Sequence, residues 1–240
     1  MRKTIVISGI AAGILLLIFG GWQLSRSRSL QLYGGLITHV ETDSMLVALT
    51  LDDGPTPAGT EATLAILDSL DVVATFFVTG REMNEHMAYG RRIVEAGHAL
   101  GNHSYTHQQM VLRSPAFMAE EIVTTDSLIR AAGWAGDIPF RPPYAKRLFV
   151  LPRYLHQNNR NTFLWDIEPE SFREIAKSPE QMAAHVADRV RPGSIILMHV
   201  MYSTREESRL ALPKIISQLK EKGYRFVTLQ ELLKHGHGTS

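Results

Sequence analysis

The residues whose types and spacing could do chemistry are two adjacent carboxylates, Asp52 and Asp53, two histidines four apart, His103 and His107, the run Arg141-Pro142-Pro143-Tyr144, and His199. One carboxylate and two imidazoles make a three-ligand site for a divalent ion, with positions left for water and substrate; that is the layout of a catalytic rather than a structural centre. Each piece alone also has a plainer reading. DDGPTP is a turn by its local backbone preferences, an i, i+4 histidine pair is commonly a solvated helix face, RPPY is a loop with a proline brake, and His199 is a strand-end imidazole bonded to backbone. The chain has no cysteine, so thiolate zinc sites, iron–sulfur clusters, disulfides and cysteine nucleophiles are excluded, and any metal sits on His, Asp or Glu.

The elements that must position these residues are short apolar runs. Asp52 and Asp53 follow LVALTL, Arg141 follows IPF, Asp166 follows TFLW and His199 follows SIILM. LITHV, VVATFFV and RFVTL read as further strands, and EATLAILDSL, residues 85–96, EEIVTTDSLIRAA and IISQLKEK as helices, with Gly97, Gly133 and Gly223 where left-handed residues stop them. Strands alternating with helices predict a parallel α/β sheet, either an open doubly wound sheet or a small distorted (β/α) barrel. In both, the carboxyl ends of the strands share the face that holds the site, so the four strand-end coincidences predict one pocket. HSYTH follows Gly101 and Asn102 and is expected in a loop at an element end.

Charge is unevenly placed. Four of the 25 basic residues, Arg2, Lys3, Arg26 and Arg28, precede position 29, which leaves 21 against 24 acidic side chains in the body. No basic excess asks for a nucleic-acid partner. Between Lys3 and Arg26 runs TIVISGIAAGILLLIFGGWQLS, uncharged and rich in Ile and Leu; about 20 such residues in a helix span a bilayer core. The expectation is one N-terminal transmembrane helix, N-terminus inside, with Trp22 interfacial. A cleaved signal peptide is the competing reading, disfavoured by the length of the run and the lack of an A-x-A site. The expected organisation is residues 1–28 as membrane anchor or signal peptide and start of a linker, 29–35 as linker, and 36–240 as one catalytic domain.

In order, TLDDGP, HSYTH, RPPY, WDIEPESF and IILMH resemble the five motifs of the NodB-homology polysaccharide deacetylases, carbohydrate esterase family 4. VVATFFVTG, IVEAGHALGNH and LPKIISQLKEKGYRFVTLQELL resemble the family's connecting text, so the likeness spans residues 36–233. The resemblance implies a distorted (β/α) barrel and metal-dependent removal of N-acetyl groups from N-acetylglucosamine polymers such as peptidoglycan or chitin. It implies Asp53, His103 and His107 as ligands of a divalent metal, most often zinc, with cobalt or nickel as alternatives. It further implies Asp52 as general base paired to Arg141, the Tyr144 backbone N–H at the oxyanion, and His199 as general acid. Pro143, Phe172 and Leu197 are expected to line the substrate. The partners would be an acetylated polysaccharide and, through the N-terminal helix, a bacterial membrane with the catalytic domain outside the cytoplasm.

Two departures stand out. Where the family carries Asp-Trp in its fourth motif, this chain has Ser171 and Phe172. Without a carboxylate neighbour His199 would be a weaker acid, so Asp166, Glu168 or Glu170 is expected to take that role from a shifted position. Ala145 also follows Tyr144 where glycine is common. Because an ester has a better leaving group than an amide, an O-acetyl esterase stays open beside the N-deacetylase, as does a glycan-binding domain that retains metal without turnover. His39, His86, His98, His156, His185, His235 and His237 are read as packing or surface residues, and Trp134 and Tyr105 as packing aromatics.

Overall fold

A computed structural model describes residues 2–237, and for residues 2–9 and 11 it describes the backbone alone. The chain opens with a 25-residue helix, α1 (Arg2–Arg26). It continues through β1 (Leu36–Ile37), β2 (Leu46–Asp52), α2 (Pro57–Ser69), β3 (Thr75–Val78), α3 (Gly80–Glu85), α4 (Met87–Glu95), β4 (Ala99–Asn102) and α5 (Pro115–Ala131). Then follow α6 (Val150–Gln157), β5 (Thr162–Phe163), α7 (Pro179–Arg189), β6 (Ile195–His199), α8 (Glu206–Glu221), β7 (Arg225–Val227) and α9 (Leu229–Lys234).

All strand pairings are parallel: β4, β3, β2 and β6 lie side by side, β7 joins β2, and β1 joins β5. Single-residue parallel bridges, Asn102 to Phe140, Phe140 to Thr162 and Ile167 to Ile196, carry the ring from β4 past β5 to β6. The sheet is therefore a distorted barrel, with the barrel alternative favoured over the open sheet. β2 is buried at every residue, as its unbroken apolar run requires of a strand covered on both faces. Leu49, Leu51, Phe76, Ile196 and Met198 pack with Leu67, Ile215 and Ile216 from the helices in the largest core cluster, each contributing about 1.5–3 kcal/mol of burial free energy.

One capping device recurs. Thr56, Ser114 and Ser178 each accept from the backbone N–H three residues on, with proline next in sequence, at the starts of α2, α5 and α7. Proline at the first helical position gives up an N–H that would have been unpaired anyway. The expected stops are found as well: Gly97, Gly133 and Gly223 have φ of 83°, 99° and 86°. The helix expected over 85–96 is α4, and a short helix that was not expected, α3, precedes it, the two parted at His86 (φ −131°, ψ 41°). β4, containing Gly101, was not expected as a strand.

The expected transmembrane helix coincides with α1, in which the side chains of residues 4–9 and 11 lie outside the described ones. Among the described residues no helix is long and apolar enough to cross a membrane. The linker at 25–35 forms no helix or strand beyond Arg26, but it is not loose. The buried Arg147 donates to the carbonyls of Ser27 and Ala145 and to Gln31 Oε1 at 2.7–2.9 Å, and its own N–H donates to Ser25 O. That arginine staples the segment after α1 onto the loop that follows the RPPY motif.

Candidate active site

Asp52 ends β2 and His199 ends β6, and the two are register partners in the parallel pair. Successive side chains of a strand point to opposite faces, so two adjacent carboxylates would ordinarily part company. Here Asp53 takes φ 74°, a left-handed conformation that Asp tolerates better than most residues. The alternation is broken, and both carboxylates line one cleft.

His103 follows β4, and His107 reaches the same place through a loop rather than a helical turn, with Ser104 and His107 at φ 65° and 56°. Ser104 Oγ accepts from His107 N at 3.1 Å. The loop is held from outside by Glu121 on α5, whose buried carboxylate accepts from Tyr105 N, Thr106 N and Thr106 Oγ1 at 3.0, 2.8 and 2.7 Å. Sequence reading did not single out Glu121; a carboxylate on the core-facing side of an amphipathic helix was its only signal.

One donor atom each from Asp53, His103 and His107 lies within 4.8 Å of the others. His107 Nε2 is 3.4 Å and His103 Nε2 4.0 Å from Asp53 Oδ1. His103 Nδ1 lies 2.8 Å from the carbonyl of Arg141, which fixes the proton on Nδ1 and leaves Nε2 as a ligand nitrogen, the usual outer-shell arrangement of metal-binding histidines. Burial, then the charge of His103, pushes the His107 pKa down and favours the neutral, ligating imidazole. A hard oxygen and two imidazole nitrogens, converging and orientated from behind, fit a divalent ion.

Arg141 is fully buried. It donates to Asp52 Oδ1 at 2.6 Å, Thr50 Oγ1 at 2.9 Å and Leu164 O at 2.9 Å, and its guanidinium lies over Phe77 with its carbon 4.0 Å from the ring centroid. Burial pushes the Asp52 carboxyl up, but the charges of Arg141, His103 and His199, with the Arg141 hydrogen bond, outweigh it and hold the pKa below the ordinary carboxylate value. Asp52 is thus kept ionised. Tyr144 and Ala145 both adopt left-handed conformations, φ 60° and 56°, a region that glycine enters without strain.

A family model described as polysaccharide deacetylase matches residues 39–162. A peptidoglycan-N-acetylglucosamine deacetylase of Bacillus cereus is 34% identical over 193 residues, covering 78% of this chain and 68% of that one. The chain belongs to the polysaccharide deacetylase family.

As a family member it is a hydrolytic deacetylase, in a family whose deacetylases are metal-dependent. A second B. cereus peptidoglycan-N-acetylglucosamine deacetylase is 28% identical and covers 88% of this chain and 98% of its own length. A crystal structure of a peptidoglycan N-acetylglucosamine deacetylase superposes with TM-score 0.75 at 30% identity, covering 83% of this deacetylase and 92% of that chain. A pseudoenzyme of carbohydrate esterase family 4 from Bacillus anthracis has TM-score 0.70 at 30% identity, covering 82% of this chain and 68% of its own.

The deacetylase's fourth motif is resolved by geometry. His199 Nδ1 lies 2.6 Å from Glu170 Oε2, which also accepts from the His199 backbone N–H at 2.9 Å, and Ser208 Oγ donates to the other oxygen. Burial would lower the His199 pKa, but the Glu170 hydrogen bond and charge, with Asp52 and Asp53, raise it to about 9. His199 therefore has the carboxylate that Ser171 does not provide. The other two expected substitutes are used elsewhere. Asp166 accepts from Ser194 Oγ and Ile195 N at 2.9 and 2.8 Å and lies 3.1 Å from His39 Nδ1, so it joins strands rather than the cleft, and His39 has a partner after all. Glu168 accepts from Arg28 and Trp165 Nε1, both at 2.9 Å, and from Ser171 Oγ.

The cleft has a volume of about 710 Å³ and is lined by Asp52, Asp53, His103, His107, Tyr144 and His199 among others. Pro143, Phe172 and Leu197, expected along the substrate, are not among the residues that line this cleft, where Pro142, Ala145 and Trp165 stand. Leu197 points into the core beside Leu46 and Phe77, Pro143 is buried, and Phe172 turns aside onto His185, ring centroids 4.8 Å apart. His98 is buried, with burial lowering its pKa to about 4, as a packing histidine would be.

Proposed function

We propose that the protein removes N-acetyl groups from an acetamido-sugar polymer, of the kind named for its peptidoglycan-deacetylating relatives, and releases acetate. The observation that carries this reading is a division of labour between neighbours: Asp53 converges with both imidazoles, while Asp52, 3.6 Å from His103 Nε2 through one oxygen, is held by buried Arg141 through the other. Metal binding alone requires neither Asp52 nor Arg141. A divalent ion held by Asp53, His103 and His107, zinc by preference with cobalt or nickel as alternatives, would supply a polarised carbonyl and a more acidic attacking water.

Asp52 takes the proton of the attacking water, and Arg141 keeps it ionised and orientated to do so. The backbone N–H of Tyr144 is the chain's donor toward the developing oxyanion. As water oxygen bonds to the carbonyl carbon and the C–N bond breaks, His199 gives its proton to the departing nitrogen; acetate and a free sugar amine leave. Glu170 keeps that proton available at neutral pH.

An O-acetyl esterase is the second reading, favoured by the missing Asp-Trp pair at Ser171 and Phe172. The His199–Glu170 contact weighs against it, since an alkoxide leaving group needs a strong acid less than an amine does. Parallel assays on an N-acetylglucosamine oligomer and an O-acetylated xylan oligomer separate the two: release from the first supports N-deacetylation, and release from the second alone overturns it.

The same proposal includes an extracytoplasmic site next to a membrane. It rests on the uncharged run from Thr4 to Ser25 and on the exposure of Ile14, Leu15, Leu16, Leu17, Ile18 and Phe19 along α1. Protease protection in spheroplasts tests it, a domain that stays protected counting against it.

A further inference from the structure

The wall of the catalytic cleft is completed by the end of α1. Trp22, Arg26 and Arg28 line it together with Lys146, from the loop after RPPY, and Arg205, after β6. Arg28 is matched by Glu168 at 2.9 Å, Asp52 by Arg141 at 2.6 Å, and Asp53 faces the two imidazoles. Among the described residues Arg26, Lys146 and Arg205 have no carboxylate partner. The half-exposed Trp22 indole lies between two of them, with Lys146 Nζ 4.4 Å and the Arg26 guanidinium carbon 5.7 Å from its ring centroid.

Composition does not account for this. Over the chain basic and acidic residues nearly balance, 25 against 24, yet Arg26, Lys146 and Arg205 gather on one wall of the cleft without an acidic partner among the described residues. Like charges lining one concave cleft repel one another and focus a field that an anionic ligand relieves. The staple from Arg147 to Ser25, Ser27 and Gln31 holds the end of α1 in this wall rather than leaving it on a free tether.

Resting on the deacetylase reading above, we propose that Arg26, Lys146 and Arg205 form a subsite for carboxylates on the glycan, with Trp22 as its apolar floor, so that an acidic acetamido-sugar polymer is preferred over a neutral one. An N-acetylglucosamine hexamer and its 6-O-carboxymethyl derivative share linkages and acetamides and differ only in carboxylates. The experiment measures acetate release from both by the full chain, by an Arg26→Gln/Lys146→Gln/Arg205→Gln variant, and by Arg91→Gln as a surface-charge control, with folding checked by thermal melting. Binding of both hexamers is followed by calorimetry.

The wild type is expected to favour the carboxymethyl hexamer, less so as salt rises. The ratio of the two kcat/KM values should fall about tenfold in the triple variant, chiefly through KM, and hold in Arg91→Gln. An absent preference, or a ratio unmoved in the triple variant, overturns the subsite. If neither hexamer is hydrolysed, the deacetylase reading has failed and calorimetry decides the subsite: tighter binding of the acidic hexamer that the triple variant loses supports it, and equal binding refutes it. A single Lys146→Gln variant gives the same readout should the triple variant not fold.

Discussion

His199 Nδ1 and Glu170 Oε2 stand 2.6 Å apart, bridging β6 and the turn at Pro169–Ser171. The imidazole is thereby held protonated through neutral pH, with its pKa raised to about 9 against the pull of burial. Glu170→Gln keeps the shape and removes the charge. Its kcat should fall by about 10², and the alkaline limb of the pH–rate profile should move from near pH 9 toward the ordinary histidine value of 6.5. An unmoved limb would show that Glu170 does not tune the acid. The linkage has a definite sign: a raised folded pKa adds stability that is fully present below pH 6.5 and lost as pH climbs through about 9. Wild-type melting temperature should therefore drop over that window more than the variant's.

Asp52→Asn should lower kcat by about 10²–10⁴ while leaving metal affinity largely intact. Because Asp52 is held below its ordinary pKa of 3.8, no acid limb from this group is expected above that pH. The same change leaves Arg141 buried without its counter-charge, which costs about 3–5 kcal/mol. Denaturant unfolding of the metal-free protein reads that loss separately from catalysis.

Alanine at His103 or His107 removes one of three donors and should abolish stoichiometric zinc binding measured by calorimetry and elemental analysis. Glu121→Gln acts at one remove: it weakens the carboxylate's grip on the loop between the histidines. Metal affinity should fall about 10–100-fold with the ligands themselves intact.

Arg147→Ala releases the segment from Ser25 to Gln31, with a loss of about 2 kcal/mol for the charged hydrogen bonds to its carbonyls. Limited proteolysis should cut there in the variant before the wild type. Cleavage at the same rate in both would mean the segment is free with or without its staple. A fragment beginning at Ser29 would lack Trp22, Arg26 and Arg28, and with them part of the cleft wall.

The strand-end residues were legible because each follows a short apolar run: Asp52, Arg141 and His199 were expected on one face and meet there. Asp166 obeyed the same local pattern and went elsewhere, since β5 is only two residues long and the chain after it turns to bridge Ile196. Choosing among Asp166, Glu168 and Glu170 needed the contact between a turn and β6 across 29 residues of chain, which no local pattern carries. Leu197 sits two before His199 and packs in the core. Glu121 and Arg147 were missed because a buried charge looks like a surface charge until the fold shows what it holds.

Asp53, His103 and His107 are proposed to hold an ion that Asp52 needs for hydrolysis of an acetamide. This proposal is tested most directly by acetate release from N-acetylglucosamine hexamer using full-length protein stripped of metal and then reloaded with zinc. Release should be absent when stripped, return on reloading, and be absent in reloaded Asp52→Asn despite bound zinc. Equal release from stripped and reloaded protein, or undiminished release from Asp52→Asn, would contradict it.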